Sequence, residues 1–359
     1  MQLNRSGSEG PEAGRLAAYS DVSTSLALLG DDELAELVAT ATPLGAGIGG
    51  RSALLYVDEV PVFVKRVPLT DLERRPENVR STANVFGLPP FCQYGIGGPG
   101  FGAWRELAVH TMTTNWVLAG RFAGFPLLHH WRVLPDAPAP LPTELADVEQ
   151  AVAYWGGGPR VRERIEALRT ASASVTLFLE HMPYTLHDWL GARIAAGEAE
   201  TACAMVDREL MRVADFLQSQ GLLHFDAHFE NVLTDGRHLY LADYGLAVSS
   251  RFRLSPEERG FLGRHHGYDH AYAITHLVKW LVTALYGYGR TEREAFIAAC
   301  AEGVRPEGIP PIAAGLISRY APLAAIMADF SRRLQWESRR TPYPYEELRD
   351  AYKSCTVSA

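Results

Sequence analysis

Hydrophobic and polar residues alternate along two short stretches near the start of the chain, Ala53 to Val57 and Val60 to Val67. β-Branched and aromatic residues at alternate positions are typical of β-strands. Asp58-Glu59 lies between the stretches and predicts a tight connection. Gly45 to Gly50 precedes them and predicts a turn, so we expect a strand, a glycine loop and a second strand in this region.

Further along, a helix is predicted from Ala103 to about Ala119, because apolar residues recur there with a period of 3.6. That apolar face consists of Trp104, Leu107, Ala108 and Met112. Leu127 to Leu134 and Val175 to Leu179 are predicted as two more strands. A short helix is also expected around Leu34 to Val38, since two aspartates at its start favour the N-terminal end of a helix.

Two segments interrupt this pattern. Asp71 to Gly102 is rich in proline and glycine and predicts an irregular insertion. Pro135 to Ser174 is predicted as a second insertion, which contains charged helical stretches around Pro142 to Trp155 and Arg160 to Thr170. Residues 1 to 25 are expected to form a flexible arm.

From Leu186 onward the pattern is mostly helical, apart from a strand-rich patch between Val232 and Val248. Strands first and helices later predict an α+β chain in two parts. With a junction near His181, the predicted units are the arm at 1–25, a β-rich unit at 26–181 and a helical unit at 182–359.

Composition narrows the classes of function. The 359 residues have a formal net charge of −8 and no long basic stripe, which argues against a nucleic-acid partner. No stretch of 18 uncharged apolar residues occurs, so a membrane span is not expected. The four cysteines are scattered and form no CxxC pair, which argues against a disulfide framework or a zinc site and favours the reducing cytoplasm.

The first chemical motif is the GxGxxG of Gly45, Gly47 and Gly50. In a dinucleotide-binding fold a helix would follow it, whereas here a strand-like run follows. A hairpin of glycines can lie over phosphate groups with its amides facing the oxygens, because no Cβ blocks the approach. The alternative interpretation is a glycine-rich surface turn.

The second is Lys65, 15 residues beyond the last glycine. Two short antiparallel strands would return it beneath the glycine loop, where an ammonium group can hold phosphate oxygens. Such a lysine needs a carboxylate partner to position it. Glu106 on the following helix is the candidate, with Glu73 and Glu77 as alternatives.

The third motif is a set of oxygen-bearing side chains around a predicted hairpin. Its strands run from Asn231 to Thr234 and from His238 to Ala242, so Asn231 and Asp243 are expected at its open end. A hard cation such as Mg²⁺ takes a few protein oxygens of this kind and completes its shell with phosphate and water. Asp226, just before them, could accept the proton of an attacking hydroxyl.

In this order and at this spacing, the motifs resemble the protein-kinase-like superfamily, which includes protein kinases and small-molecule kinases of the aminoglycoside type. The resemblance covers about residues 40 to 290 and implies a two-lobed fold with a small β-rich N-lobe and a larger helical C-lobe. It implies an ATP- and Mg²⁺-dependent phosphotransferase that transfers the γ-phosphoryl group to a hydroxyl.

The resemblance also implies a role for each matching residue. The glycines would cover the phosphates of ATP, Lys65 would bind them with Glu106 as its partner, and backbone groups from Glu180 to Met182 would bind adenine. Asp226 would be the catalytic base, and Asn231 and Asp243 would hold Mg²⁺.

Four departures from the protein-kinase pattern bear on the acceptor. Phe225 replaces the arginine that receives an activation-loop phosphate in many protein kinases, and Tyr244 replaces the usual phenylalanine after the metal-binding aspartate. His228 stands where small-molecule kinases often carry histidine. No clear APE motif follows Asp243.

The acceptor therefore stays open between a small-molecule hydroxyl and a Ser or Thr of a peptide or protein. Two other functions are compatible with parts of the pattern. One is a pseudokinase that binds nucleotide as a scaffold. The other is a metal-dependent hydrolase that uses the alternating His224, Asp226 and His228. Of these, His224 is expected to be a structural histidine bonded to the backbone near Tyr244.

Overall fold

The computed structural model of the protein describes residues 11–47, 49–95 and 97–357. It is a mixed α+β structure whose largest sheet has five antiparallel strands in the order β1-β2-β3-β5-β4. The strands are β1 (Thr42–Gly47), β2 (Gly50–Val57), β3 (Val60–Leu69), β4 (Leu128–Pro135) and β5 (Ala173–Glu180). Four of these strands were expected from alternation, and the sheet confirms them.

The turn between β2 and β3 is formed by Asp58 and Glu59, as predicted. Both residues have positive φ angles, 50° and 67°, which is the backbone of the two-residue hairpin turn that matches strand twist. Val57 and Val60 are partners across the turn. This register places alternate residues of β3 on opposite faces of the sheet.

One face of the sheet is covered by two helices near the start of the described chain, α1 (Pro11–Ala27) and α2 (Asp31–Ala39). Val22 and Leu26 of α1 are fully buried against the sheet. The prediction of a flexible arm over residues 1 to 25 is therefore wrong for 11–25, because apolar residues spaced four apart give α1 a face that packs on the strands. Residues 1–10 lie outside the described part.

The opposite face packs against α4 (Ala103–Leu118). Trp104 and Leu107 of this helix are buried with Val67 and Leu177 of the sheet. The prediction of a single apolar face on α4 is incomplete, because the helix also buries polar side chains on its other sides. Lys65 of β3 lies on this same side of the sheet, two residues from Val67.

The two predicted insertions fold against each other. Their elements are α3 (Asp71–Arg74), a 3-10 helix (Pro90–Gln93), α5 (Thr143–Ala146), α6 (Val148–Tyr154) and α7 (Pro159–Arg169). Phe86 of the first insertion and Trp155 of the second share one buried apolar cluster. A buried ion pair of 2.8 Å joins Arg164 to Glu73 across the two segments.

The rest of the described chain is mostly helical. Its helices are α8 (Leu186–Ala195), α9 (Ala199–Ser219), α10 (Pro256–Arg264), α11 (Tyr268–Tyr286), α12 (Arg290–Ala301), α13 (Pro311–Trp336) and α14 (Tyr345–Val357). They enclose the largest hydrophobic cluster, to which Trp116 and Phe125 from the sheet-forming part of the chain also contribute. Some side chains from before residue 181 thus belong to the hydrophobic cluster of the helices that follow it.

Short strands carry the loops of the candidate site. They are β6 (Tyr184–Thr185), β7 (Leu222–Leu223), β8 (Val232–Thr234), β9 (Leu239–Leu241) and β10 (Val248–Ser249). β8 and β9 form the predicted hairpin, with Val232 opposite Leu241. Its open end therefore carries Asn231 and Ala242, and the Ala242 amide donates to the Asn231 carbonyl at 2.9 Å.

Within the described residues one helix, α13, is long and apolar enough to cross a membrane by length and composition. Ile317, Leu323 and Met327 of this helix are buried in the main hydrophobic cluster. All four cysteines are free and buried.

Candidate active site

The ammonium group of Lys65 contacts two carboxylates. Its Nζ lies 2.8 Å from Glu106 Oε1 and 2.8 Å from Asp243 Oδ1. The alternation of β3 directs Lys65 toward α4, where Glu106 lies in the first turn. The predicted pairing of Lys65 with Glu106 is thus present. Of the alternatives, Glu73 is buried in the ion pair with Arg164 and Glu77 is exposed.

Burial and charge act in opposite directions on this triad. Burial alone would lower the pKa of Lys65, but Asp243 and Glu106 outweigh it and the pKa is raised. Burial raises the pKa of Glu106 to about 7, although Lys65 opposes the shift. Burial would also raise the pKa of Asp243, yet Lys65 lowers it to about 2. Lys65 and Asp243 are therefore charged at neutral pH, which gives the cleft one fixed cation and one fixed anion.

The glycine segment is a hairpin over this lysine. β1 and β2 pair up to Gly47 and Gly50, so Gly45 and Gly47 lie within a strand rather than in the predicted turn. A Cβ at Gly49 would lie 3.0 Å from Lys65 Nζ and 3.5 Å from Asp243 Oδ2. Gly49, which the GxGxxG pattern leaves as a variable position, is therefore the glycine nearest the charged groups.

Gly50 has a different reason to be glycine. Its φ is +117°, and a Cβ there would collide with the carbonyl oxygen of Arg66 on β3. Residues other than glycine rarely adopt this backbone conformation, because their Cβ makes it unfavourable. Gly50 thus permits the close approach of β2 to β3 that holds the hairpin above Lys65.

Asp226 lies in a loop that is fixed by a buried carboxylate. Asp269 of α11 accepts hydrogen bonds from the amides of His224 at 2.8 Å and Phe225 at 3.0 Å. Phe225 has a φ of +67° and a fully buried ring, so the chain turns sharply just before Asp226. These contacts hold Asp226 in a strained but well-supported loop.

The pKa of Asp226 is raised to about 6. Burial is the largest cause, and the Asp243 carboxylate adds to it. His228, whose Nε2 lies 3.8 Å from Asp226 Oδ2, and the hydroxyl of Tyr272 act in the opposite direction. A carboxylate with a pKa in this range can accept a proton at neutral pH and release it again.

His224 itself is structural, as expected. Its Nε2 contacts the Ala242 carbonyl at 2.9 Å, and its Nδ1 accepts from the Asp226 amide at 3.2 Å. The ring also lies against Tyr244, with centroids 5.5 Å apart. Since both ring nitrogens are engaged, His224 links the Asp226 loop to the strand end that carries Asp243.

Asn231 and Asp243 line the same cleft. The side-chain amide of Asn231 donates to the Asp226 carbonyl at 3.0 Å, which leaves its oxygen without a hydrogen bond among the described residues. Asp243 has Oδ1 on Lys65 and Oδ2 toward Gly49. Two hard oxygen donors that line one cleft fit Mg²⁺, which usually takes only one or two protein carboxylates and keeps other ligands from phosphate and water.

In the described part of the chain, no group of three or more His, Cys, Asp or Glu side chains could hold a metal by itself. In the hydrolase interpretation, His224, Asp226 and His228 could ligate zinc from one face of a strand. Those residues lie in a loop rather than on one face of a strand. His224 is moreover occupied by the backbone on both nitrogens.

The cleft lined by Lys65, Asn231 and Asp243 has a volume of about 570 Å³. It extends from the glycine hairpin to the chain connecting β5 and β6, where His181 and Met182 form no backbone hydrogen bond among the described residues. Their amide and carbonyl groups are available to a planar base. The Glu180 side chain is not available to such a base, because Arg15 binds both of its oxygens at 2.7 Å.

Three residues of the site were missed. Arg15 orients Glu180 from α1, in the segment that the sequence predicts to be a flexible arm. His110 lines the cleft one turn after Glu106, and burial together with Lys65 lowers its pKa to about 3, so it is neutral. Tyr272 faces Asp226 from α11. Of the three, only His110 could have been found from the sequence, because its i+4 spacing places it next to Glu106 on one face of the helix.

Comparison with known proteins assigns no family to this arrangement. The chain matches no protein-family model. It also matches no curated protein.

Proposed function

We propose that the protein is an ATP- and Mg²⁺-dependent phosphotransferase with a two-lobed, protein-kinase-like fold. The sheet of β1 to β5 would be the smaller lobe, and the helices from α8 onward the larger. The observation that carries the proposal is the convergence of Lys65, Glu106 and Asp243 beneath a glycine hairpin, with distances of 2.8 Å. Residues from three distant parts of the chain meet there, and Lys65 and Asp243 line a cleft large enough for a nucleotide.

In this proposal ATP lies in the 570 Å³ cleft. Its base meets the backbone at Glu180 to Met182, and its phosphates lie below Gly49 and beside Lys65. Glu106 is a positioning residue, because it holds the ammonium of Lys65 against the side that faces the phosphates. Asn231 and Asp243 would hold Mg²⁺, which neutralises phosphate charge when it is bound.

Asp226 is the proposed catalytic base. The acceptor hydroxyl gives its proton to the Asp226 carboxylate while its oxygen forms a bond to the γ-phosphorus. The bond from that phosphorus to the β–γ bridging oxygen breaks, and ADP leaves with the electron pair. His228, 3.8 Å from Asp226, favours the ionised form of the base. The acceptor is a hydroxyl of a small molecule or of a Ser or Thr in a peptide, and the reaction takes place in the cytoplasm.

The test compares three proteins, the wild type, Asp226→Asn and Asp243→Asn, for Mg²⁺-dependent release of ADP and transfer of γ-phosphate. Asp226→Asn is expected to bind ATP normally and to lose at least about 100-fold in turnover. Asp243→Asn is expected to lose the response to Mg²⁺. Asp329→Asn, an exposed change on α13, is the control.

Two outcomes would count against the proposal. Full Mg²⁺-dependent turnover in Asp243→Asn would show that the ligand assignment is wrong. Tight ATP binding without any Mg²⁺-dependent turnover in the wild type would instead identify a nucleotide-binding scaffold, the pseudokinase alternative.

A further inference from the structure

A second cavity of about 280 Å³ is lined by Asp226. Asp226 lines this second cavity but not the 570 Å³ cleft, whereas Asp243 lines the cleft. Asn231 lines the cleft and donates to the Asp226 carbonyl at 3.0 Å, so the two spaces approach each other at the proposed catalytic base. An acceptor in the second cavity would place its hydroxyl beside Asp226.

The far end of this cavity is cationic. It is lined by Lys279 of α11 and by Arg290 and Arg293 of α12, with Glu294 as the carboxylate beside them. Glu294 lies 3.3 Å from Arg290 and is therefore already paired. Three cations thus face one carboxylate, which leaves an excess of positive charge at the end of the cavity away from Asp226.

Two of these cations lack an anionic partner. Lys279 is half-buried and forms no ion pair within the described residues, and burial lowers its pKa even though Glu294 opposes the shift. Arg293 donates to the neutral Thr283 hydroxyl at 3.1 Å, and its Nε is buried with no hydrogen-bond partner in that part of the chain. Charged groups removed from water without a counter-ion are unfavourable. An anion in the cavity would satisfy them.

The cavity wall supplies a second unsatisfied group. Thr275 is 6% exposed, and its hydroxyl has no hydrogen-bond partner among the described residues. Buried polar groups of this kind are rare in folded proteins and call for an explanation. Aromatic residues, among them Tyr94, Tyr268 and Phe330, also line the cavity, so the body of a ligand would lie against rings.

Helix α11 forms one wall of the cavity, and the spacing of its residues indicates how long a ligand the cavity takes. Tyr272, His276 and Lys279 recur along α11 at spacings of four and three and share one face. Tyr272 is the residue that faces Asp226. Seven residues of helix separate its Cα from that of Lys279 by about 10 Å.

We propose that this cavity is the acceptor site and that it selects a hydroxyl compound carrying an anionic oxygen group within about 10 Å of the hydroxyl. The inference rests on the proposed phosphotransferase function. The hydroxyl lies at Asp226, the body of the acceptor packs between the aromatic rings, and its carboxylate or phosphate meets Lys279 and Arg293. Polycationic acceptors are disfavoured by the same charges.

Binding is measured first, so that the test does not depend on turnover. Wild-type protein with Mg²⁺ and a non-hydrolysable ATP analogue is dialysed to equilibrium against matched acceptor pairs. One pair is a Ser peptide with Glu three residues beyond the Ser and its Gln counterpart. The other is 6-hydroxyhexanoate and its amide. We expect at least tenfold higher retention of the anionic member of a pair, and the pair that is retained identifies a peptide or a small-molecule acceptor.

The variants separate the cavity from general electrostatics. Lys279→Gln should abolish the preference, and Lys279→Arg should keep it. Arg305→Gln removes one positive charge from an exposed position outside the cavity and should leave retention unchanged. Thermal unfolding of each variant checks that the fold is intact.

Equal retention of both members of each pair, no retention of either anionic compound, or a preference that survives the double change Lys279→Gln and Arg293→Gln would overturn the inference. Transfer of γ-phosphate from ATP to the retained compound is then measured. A compound that is retained in a Lys279-dependent way but never phosphorylated supports the anion-selective cavity and contradicts the phosphotransferase proposal.

Discussion

The ammonium of Lys65 and the carboxylate of Asp243 lie 2.8 Å apart, although the two residues belong to β3 and to the loop after β9. Glu106 holds the same ammonium at 2.8 Å from α4. The ion pair therefore joins the five-stranded sheet to the loops of the helical part. It ties the position of the proposed metal ligand to that of the proposed phosphate ligand.

Replacing Lys65 should cost both stability and activity. The sequence favours a lysine at the edge of a cleft that contributes little to packing, but the side chain is only 9% exposed and both of its partners are carboxylates. Lys65→Met leaves a buried Glu106 without its counter-ion. The expected loss is on the order of 3 kcal/mol in the free energy of unfolding and at least about 100-fold in turnover.

The pH dependence of that loss has a definite sign. Burial already raises the pKa of Glu106 to about 7, and Lys65 is the group that opposes the shift, so its removal raises the pKa further. An acid whose pKa is raised by folding loses stability as pH rises from its unfolded value, about 4.3, through its folded value. Urea unfolding of Lys65→Met should therefore show a larger deficit at pH 8 than at pH 5. An equal deficit at both pH values would contradict the ion-pair account.

Asp226 should govern the acidic limb of the pH–rate profile. A base must be ionised to accept a proton, so kcat/KM is expected to rise with pH through an apparent pKa near 6. His228 and Tyr272 both lower the pKa of Asp226, and the changes His228→Asn and Tyr272→Phe should each move the limb to higher pH. A limb that stays in place in both variants would remove Asp226 from the role of base.

Gly50 and Gly47 provide a matched pair in the hairpin. Gly50→Ala places a Cβ against the Arg66 carbonyl at a φ of +117° and should lower the free energy of unfolding by about 1–3 kcal/mol. At Gly47 a Cβ meets nothing within 4 Å, so Gly47→Ala should change stability by no more than about 0.5 kcal/mol. Thermal or urea unfolding of the two variants measures the difference. Similar losses in both would show that the approach of β2 to β3 is not the constraint.

The segment after Asp243 should need no phosphorylation for activity. Phe225 stands where an arginine would receive a phosphate, and its ring is buried against Phe261 and Tyr268. Of the three serines in this segment, Ser249 is fully buried, Ser255 caps α10 by accepting a hydrogen bond from the Glu258 amide, and Ser250 is exposed. Protein shown by intact mass to be unphosphorylated is expected to be fully active. Activity that appears only with phosphate on one of these serines would refute this.

Local pattern was sufficient for most of the strands and helices. Alternation in Val60 to Val67 predicted β3, and the short Asp58-Glu59 link predicted its turn, because these signals depend only on near neighbours along the chain. The pairing of Lys65 with Glu106 and the hairpin that joins Asn231 to Asp243 were also predicted. Their spacing allowed few alternatives once the strands had been assigned.

The amino-acid sequence by itself determined the chemical set of the site, its order along the chain and the α+β class of the protein. Tertiary structure alone decided that α1 covers the sheet and supplies Arg15, that the two insertions share one core, and that Tyr272 and Lys279 line a cavity beside Asp226. The physical reason is that burial and pairing depend on groups brought together from distant parts of the chain. The residues next to Arg15 or Lys279 in the sequence do not indicate which groups will lie beside either side chain in the folded protein.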